Sequence, residues 1–324
     1  MKTTAYRLTA LAAVIVAQVW FICPAKAQFK FTGVQPVTNW EVALRLSAPT
    51  GSVYRIDTTT DLLSWMPLVL VTGAIDTVQY TDSAAPYLPW RFYRAEQLGD
   101  TNILLGDCLS TTNGDVVIRP LSHATFVMSW NGKMIYNDPA SGISYTGLPK
   151  ADVILIGHTH SDHFNTATID TVRKTNTVIV ASQSVYNSLT ATQKALTKVL
   201  RYGDSTNVLG LDVWAVPAYN SYHPYGDGNG YVLTIGDRRI YISGDTGDVP
   251  EIRGLTNIDV AFVCMNQPYT MTVSQATNVV RAIRPKVVYP YHYRDASGAT
   301  TNAAFFKQQL GLDLGIEVRL RKWY

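Results

Sequence analysis

The string His158-Thr-His160-Ser-Asp162-His163 limits what this chain can fold into more than any other stretch. It sets three imidazoles and a carboxylate within six residues, directly after the apolar run Val153-Ile-Leu-Ile156 and Gly157. Imidazole suits zinc, manganese, iron and nickel, and a carboxylate adds hardness and charge. The whole chain has six histidines, so half of them on one turn is not the habit of a generic polar loop. Four such groups at the end of a strand call for a shared cation, and therefore for a fold that delivers further ligands to the same place.

Three other apolar segments end in a ligand-type residue. Leu211–Val216 runs through Pro217-Ala-Tyr-Asn-Ser-Tyr222 to His223, Arg238–Gly244 delivers Asp245, and Lys286–Tyr291 delivers His292. Taken singly, His223 before Pro224 also reads as a turn histidine, and His292 between two tyrosines as a packed core histidine. Asp245 in Gly-Asp-Thr-Gly-Asp also reads as a side-chain-stabilised turn. Loops at strand ends of a rigid sheet are where functional groups converge, and the shared placement joins all three to the histidine cluster as expected metal ligands.

Length and composition set the frame. A chain of 324 residues corresponds to about two domains. The formal charge of +3 comes from residues 1–27, whose Lys2, Arg7 and Lys26 have no acidic counterpart; without them 24 basic side chains face 24 acidic ones. A balance near zero gives no general pull towards nucleic acid or an anionic membrane. Residues 1–27 read as a secretory signal, with a basic start, the apolar stretch Leu8–Phe21 and the cleavage site Ala25-Lys-Ala27. The stretch is short for a stable membrane span and lacks a basic stop-transfer flank. The expected location is therefore periplasmic or extracellular, after cleavage behind Ala27. That compartment permits Cys108 and Cys264 to pair, but Cys264 sits inside Ala261-Phe-Val-Cys-Met265 and reads as a small buried hydrophobe.

Two unlike parts follow. Residues 28–98 hold no histidine or cysteine and show short alternating runs (40–46, 53–56, 66–71, 77–80) separated by turn signals. This predicts a small all-β sandwich, with Trp40, Tyr54, Trp65, Trp90, Phe92 and Tyr93 supplying most of its core. Residues 99–114 read as a linker. Over 115–324 strands alternate with helix candidates at 167–174, 191–200, 273–283 and 301–310, an α+β pattern of sheets with helices on their outer faces.

The segment Val53-Tyr-Arg-Ile-Asp…Asp61-Leu-Leu-Ser-Trp65…Arg91-Phe-Tyr-Arg94 resembles fibronectin-III-like modules; contact with a glycan or other surface is one role open to such a module. The order H-x-H-x-D-H, His223, Asp245, His292 resembles the metallo-β-lactamase-fold hydrolases. Pro217-Ala-Tyr-Asn, His223-Pro, Gly230-Tyr-Val-Leu, Ile242-Ser-Gly-Asp-Thr-Gly-Asp248 and Tyr289-Pro-Tyr-His292 are similar to the branch with ascorbate-6-phosphate lactonase-like enzymes. That resemblance implies an αββα sandwich over 115–324 and two divalent metal ions, zinc first, with manganese and iron also suited. His158, His160 and His223 would hold one ion, and Asp162, His163 and His292 the other, with Asp245 between them. Asp138 matches a strand-end aspartate that orients the histidine loop. His160 and Asp245 separate the chain from the di-iron oxidoreductase branch and from the lactamases with a bridging cysteine.

The implied chemistry is hydrolysis of a small-molecule substrate by a metal-activated water, with Asp162 both ligating and managing the proton. Thr246 and Asp248 would support the ligands, while His123, Tyr219, Asn266 and Tyr291 are candidates to line the pocket. A lactone or related ester is the leading bond type. A phosphodiester, as in a phospholipase-like activity, comes next, and then a β-lactam. A surface-binding protein with a structural metal domain is the non-enzymatic alternative.

Overall fold

In the computed structural model, residues 30–37, 40–74, 77–99, 103–294, 297–312 and 314–324 are described. The expected signal segment, 1–27, lies outside the described residues. Contacts divide the chain into Met1–Ile103 and Leu104–Tyr324.

The first unit carries β1 (Lys30–Pro36), β2 (Val42–Ser47), β3 (Val53–Thr59), β4 (Met66–Thr72), β5 (Val78–Asp82) and β6 (Phe92–Leu98). Antiparallel pairing gives the orders β1-β2-β5 and β4-β3-β6. On β2 the period of two is plain: Val42, Leu44 and Leu46 are buried, with less buried residues between them. Strands of both sheets build one core from Val42, Leu44, Ile56, Leu68, Val69 and Tyr93. The expected aromatic core is corrected here. Tyr54 and Tyr93 are buried, but Trp40 and Trp90 are exposed. An indole carries an N–H that needs a partner, and Trp90 Nε1 finds one at the rim by donating to the Thr60 carbonyl at 2.6 Å.

The second unit opens with β7 (Gly106–Leu109), β8 (Val116–Ser122), β9 (Thr125–Trp130), β10 (Lys133–Asn137) and β11 (Ala151–Ile156). After them come α1 (Thr166–Val172), β12 (Arg173–Ala181), α2 (Gln183–Ser188), α3 (Ala191–Lys194) and β13 (Thr197–Val199). Within this unit one sheet runs β13-β12-β11-β10-β9-β8-β7. The other follows chain order through β14 (Ser205–Val208), β15 (Leu211–Ala218), β16 (Gly228–Ile235), β17 (Arg238–Ile242), β18 (Val260–Cys264), β19 (Val287–Tyr291) and β20 (Glu317–Val318). Helices α4 (Pro250–Arg253), α5 (Val273–Ile283) and α6 (Ala303–Leu310) connect its parallel strands.

Both sheets feed one core that joins Phe126, Val153 and Val180 of the first to Val213, Ile240 and Phe262 of the second. Strands β18 and β19, and β11 from Val153 onwards, are continuous apolar runs because helices cover them; every residue of β18 and β19 is buried. Helix α5 starts at a reciprocal capping box between Thr272 and Gln275 and turns Ala276, Val279, Val280 and Ile283 inwards.

Two expectations change. The linker at 99–114 contains β7, which pairs antiparallel with β8 and belongs to the second unit. The helix expected over 191–200 stops at Lys194, and Thr197–Val199 pairs parallel with β12. The β-branched Thr197 and Val199 favour the pleated ladder over another helical turn. Cys108 and Cys264 are separate buried thiols. Among the described residues no helix is long and apolar enough to cross a membrane.

Candidate metal centre

The ligand-type residues follow strands β11, β15, β17 and β19. Strands β15 and β17 flank β16 antiparallel on either side, so they point the same way and deliver His223 and Asp245 to one edge. Strands β18 and β19 continue parallel to β17 and bring His292 to that edge. This is the carboxyl-end crevice where open sheets of this kind collect functional groups. Asp245 is presented by a tight turn. Gly244 takes φ +58°, and a β-carbon there would lie 2.9 Å from the Asn229 carbonyl oxygen, so only glycine fits.

Asp245 is buried and its two oxygens face different imidazoles. Oδ2 lies 3.6 Å from His223 Nε2 and 3.9 Å from His158 Nε2, while His223 Nε2 is 3.3 Å from His160 Nδ1. Oδ1 lies 3.4 Å from both His163 Nε2 and His292 Nε2. Those two nitrogens are 2.9 Å apart, and Asp162 Oδ2 stands 3.2 Å from His292 Nε2 and 3.7 Å from His163 Nε2. Ligands about 2.0–2.1 Å from a tetrahedral ion are separated by roughly 3.4 Å, a spacing the contacts above bracket, from 2.9 Å to 3.9 Å.

The polar accounting points the same way. His158 Nε2 and Asp245 Oδ1 are buried without a hydrogen-bond partner, a costly arrangement in a protein of neutral neighbours. A divalent cation is the group such donors fit. Burial alone would raise the Asp245 carboxyl, but the imidazoles of His292 and His163 reverse this and hold it well below the usual carboxylate range. His163 answers in the opposite sense: burial opposes its charge, yet Asp245 and Asp138 drive its pKa well above the ordinary imidazole value. Burial pushes His158 and His223 down. The carboxylates demand positive charge in a place where no lysine or arginine pairs with them among the described residues.

Supporting residues fix which ring nitrogen faces the centre. Asp138, buried at the end of β10, accepts from His163 Nδ1 at 2.9 Å through Oδ2 and from the Gly157 amide at 2.7 Å through Oδ1. It thus holds both ends of the histidine loop. Asn220 Oδ1 lies 3.1 Å from His223 Nδ1 and also accepts that residue's amide. Outer partners of this kind orient metal-binding imidazoles. His123, Asp138 and His292 all adopt positive φ (54°, 44° and 48°), a cluster of backbone conformations unfavourable for side-chain-bearing residues and common at functional sites.

The other candidates fall into place differently. His123 Nε2 reaches Asp162 Oδ2 at 3.1 Å, so it joins the cluster, and with Asp162 and His292 it offers a further grouping of ligand atoms. Asn266 is buried with Oδ1 unpartnered. Tyr291 does not line a pocket: it is fully buried and its hydroxyl accepts the Gly244 amide at 3.0 Å, bracing the turn before Asp245. Asp248 pairs with Arg253 through two 2.6 Å contacts, and the Tyr219 hydroxyl donates to Glu251 at 3.1 Å. Thr246 bonds the Gly247 and Tyr219 carbonyls rather than a ligand side chain. The sequence reading missed Asn220 and Tyr324, whose hydroxyl lies 2.9 Å from His123 Nδ1. Asn220 stands three residues before His223, a detectable side-chain-to-backbone turn spacing; Tyr324 has no local signal at all.

The chain is similar to several known proteins. The sequence model described as "Beta-lactamase superfamily domain" matches residues 117–292. A protein named a UPF0173 metal-dependent hydrolase from Thermococcus onnurineus is 29% identical over 210 residues, covering 60% of this chain and 92% of that protein. A crystal structure of a metal-dependent hydrolase from Parabacteroides distasonis superimposes with a TM-score of 0.60 at 41% identity, covering 67% of this chain and 97% of that one. A metallo hydrolase from Ignicoccus hospitalis gives a TM-score of 0.55 at 25% identity, with 63% and 94% covered. The chain belongs to the β-lactamase superfamily and is a metal-dependent hydrolase with the metallo-β-lactamase fold.

Proposed function

We propose that this chain is an exported hydrolase that uses two divalent ions, zinc first, to cleave a lactone or related carboxylic ester. The observation that carries the two-ion reading is the placement of Asp245, whose two oxygens each face a separate set of imidazoles. His158, His160 and His223 would hold one ion, Asp162, His163 and His292 the other, and Asp245 would serve both. Bound ions of this kind polarise a carbonyl and lower the pKa of a water from 15.7 to about 7.

The chain's own groups do the rest. Asp138 and Asn220 keep the ring nitrogens of His163 and His223 turned inwards. Asp162, 43% exposed at the rim, takes the proton released as water oxygen bonds the acyl carbon, and returns it to the leaving alcohol as the C–O bond breaks. Tyr222, next to His223, is half exposed and meets Tyr269 edge-on at 5.3 Å, which supports an organic acyl or ring portion at the mouth.

The test is elemental analysis of the purified full chain, joined to turnover of a lactone, a p-nitrophenyl ester, a phosphodiester and a β-lactam. Two ions per chain and fastest turnover of the lactone or ester are expected, with Asp162→Asn losing turnover and binding more weakly the ion that His163 and His292 would hold. One ion per chain, or a phosphodiester preferred, would overturn the reading. Export predicts a mature protein whose N-terminal sequencing begins at Gln28.

A further inference from the structure

The far end of the described chain reaches this rim. Trp323 is completely buried, and its carbonyl accepts the His123 amide at 3.3 Å. The His123 carbonyl in turn accepts the His292 amide at 3.1 Å. Tyr324 then places its hydroxyl among three groups at once: the amides of Tyr293 and Arg294, each at 3.0 Å, and His123 Nδ1 at 2.9 Å. The His123 ring lies 3.8 Å, centroid to centroid, from that of His292.

Hydrogen-bond accounting decides where the protons are. A phenol oxygen has one hydrogen to donate and two lone pairs to accept with. Backbone amides can only donate, so Tyr293 and Arg294 occupy both lone pairs. The hydroxyl hydrogen is left for His123 Nδ1, which must therefore be the unprotonated nitrogen. A neutral imidazole carries its hydrogen on the other side, so Nε2–H points at Asp162 Oδ2, 3.1 Å away.

We propose that Tyr324 and His123 form a positioning pair that fixes the Asp162 carboxylate: Tyr324 sets the His123 tautomer, and His123 donates to Oδ2. The hydrogen bond keeps Oδ2 turned towards His163 and His292. Among the described residues no protein group bonds Oδ1, which remains the oxygen able to exchange a proton at the rim. The pair acts through Asp162 and touches no reacting atom. Its catalytic consequence rests on the hydrolytic reading above, whereas the tautomer stands apart from it.

The experiment uses the zinc-loaded full chain with nitrogen-15 histidine. Long-range proton–nitrogen spectra of the wild type should show His123 protonated at Nε2 and hydrogen-bonded at Nδ1. Tyr324→Phe should shift the His123 Nδ1 resonance and leave His158, His160 and His223 in place. It should also weaken zinc at the Asp162 side and lower kcat for a p-nitrophenyl ester by about 10- to 100-fold with KM little changed, the range typical of outer-shell partners. A wild-type His123 protonated at Nδ1, or a Tyr324→Phe protein with unaltered His123 resonances, overturns the proposal. Since the wild-type spectrum alone judges the tautomer, a poorly folding variant does not shield it. Absent turnover in the wild type would count against the hydrolytic reading and leave the tautomer result to stand or fall by itself.

Discussion

Asp107 and Asp245 are both buried carboxylates of the second unit, and they keep opposite company. Asp107 accepts from Arg321 Nε at 2.8 Å and from the Tyr289 hydroxyl at 2.7 Å, with Arg319 3.8 Å away. Burial would raise its pKa, and the two guanidinium groups overcome this and lower it. In the first unit Asp82 is settled the same way, by Arg91 at 2.8 Å and the Tyr93 hydroxyl at 2.8 Å. Asp245 has imidazoles alone and keeps an unpartnered oxygen. Buried charge is tolerated when paired and hydrogen-bonded. A carboxylate whose charge is balanced within the chain is holding structure together; one left short of positive charge marks where a cation belongs. Strand β19 serves both kinds of place, with Tyr289 on Asp107 and Tyr291 bracing the Asp245 turn.

The sharpest way to break this contrast is Asp245→Asn. It should abolish tight binding of metal and reduce turnover by more than the roughly 100-fold upper range of outer-shell changes, while the metal-free protein keeps its melting temperature. Metal analysis and calorimetry read both; retained metal would place Asp245 with the structural acids.

Asp107→Ala should do the reverse, costing about 3–5 kcal/mol by stranding buried guanidinium charge without changing the metal content of the folded fraction. The folded pKa of Asp107 is lowered, so its stabilisation is complete above the unfolded value of about 3.9 and is lost as pH falls below it. Asp107→Asn should therefore flatten the acid limb of a stability-against-pH curve.

A metal ion should supply the positive charge missing around Asp245, so the native protein should unfold later when loaded. At a free ion concentration 100 times Kd the gain is about 2.7 kcal/mol. Chelation should reverse it, and the gain should vanish in Asp245→Asn. Asp138→Asn is next in size: about a 10- to 100-fold loss of metal affinity with the fold intact, followed by titration calorimetry. The smallest effect belongs to Asp248→Asn, which breaks a pair with the half-exposed Arg253. It should lower the melting temperature only slightly, because the guanidinium it releases stays in contact with water, and leave turnover unchanged.

The helix expected over 191–200 and the aromatic core expected in the first unit differ from the structure for two separate reasons. Periodicity reports that a segment is amphipathic or apolar, whereas partner strands decide whether it ends as helix or ladder. Thr197–Val199 is a strand because β12 offers it a parallel edge. Trp90 lies at the surface because its indole N–H meets the Thr60 carbonyl there.

Which side chains gather was legible from residue order, because an apolar run followed by a histidine or aspartate states locally both a buried strand and the polar group at its end. His158, His160, Asp162, His163, His223, Asp245 and His292 all converge from such places. Which nitrogen of each ring faces the centre, which tyrosine braces and which positions, and where Asp162 finds its support are matters of space. His123 and Tyr324 are 201 positions apart in the chain and 2.9 Å apart in the fold. Hydrogen bonding depends on distance and angle within a few tenths of an ångström, and only the packing of the two sheets sets those.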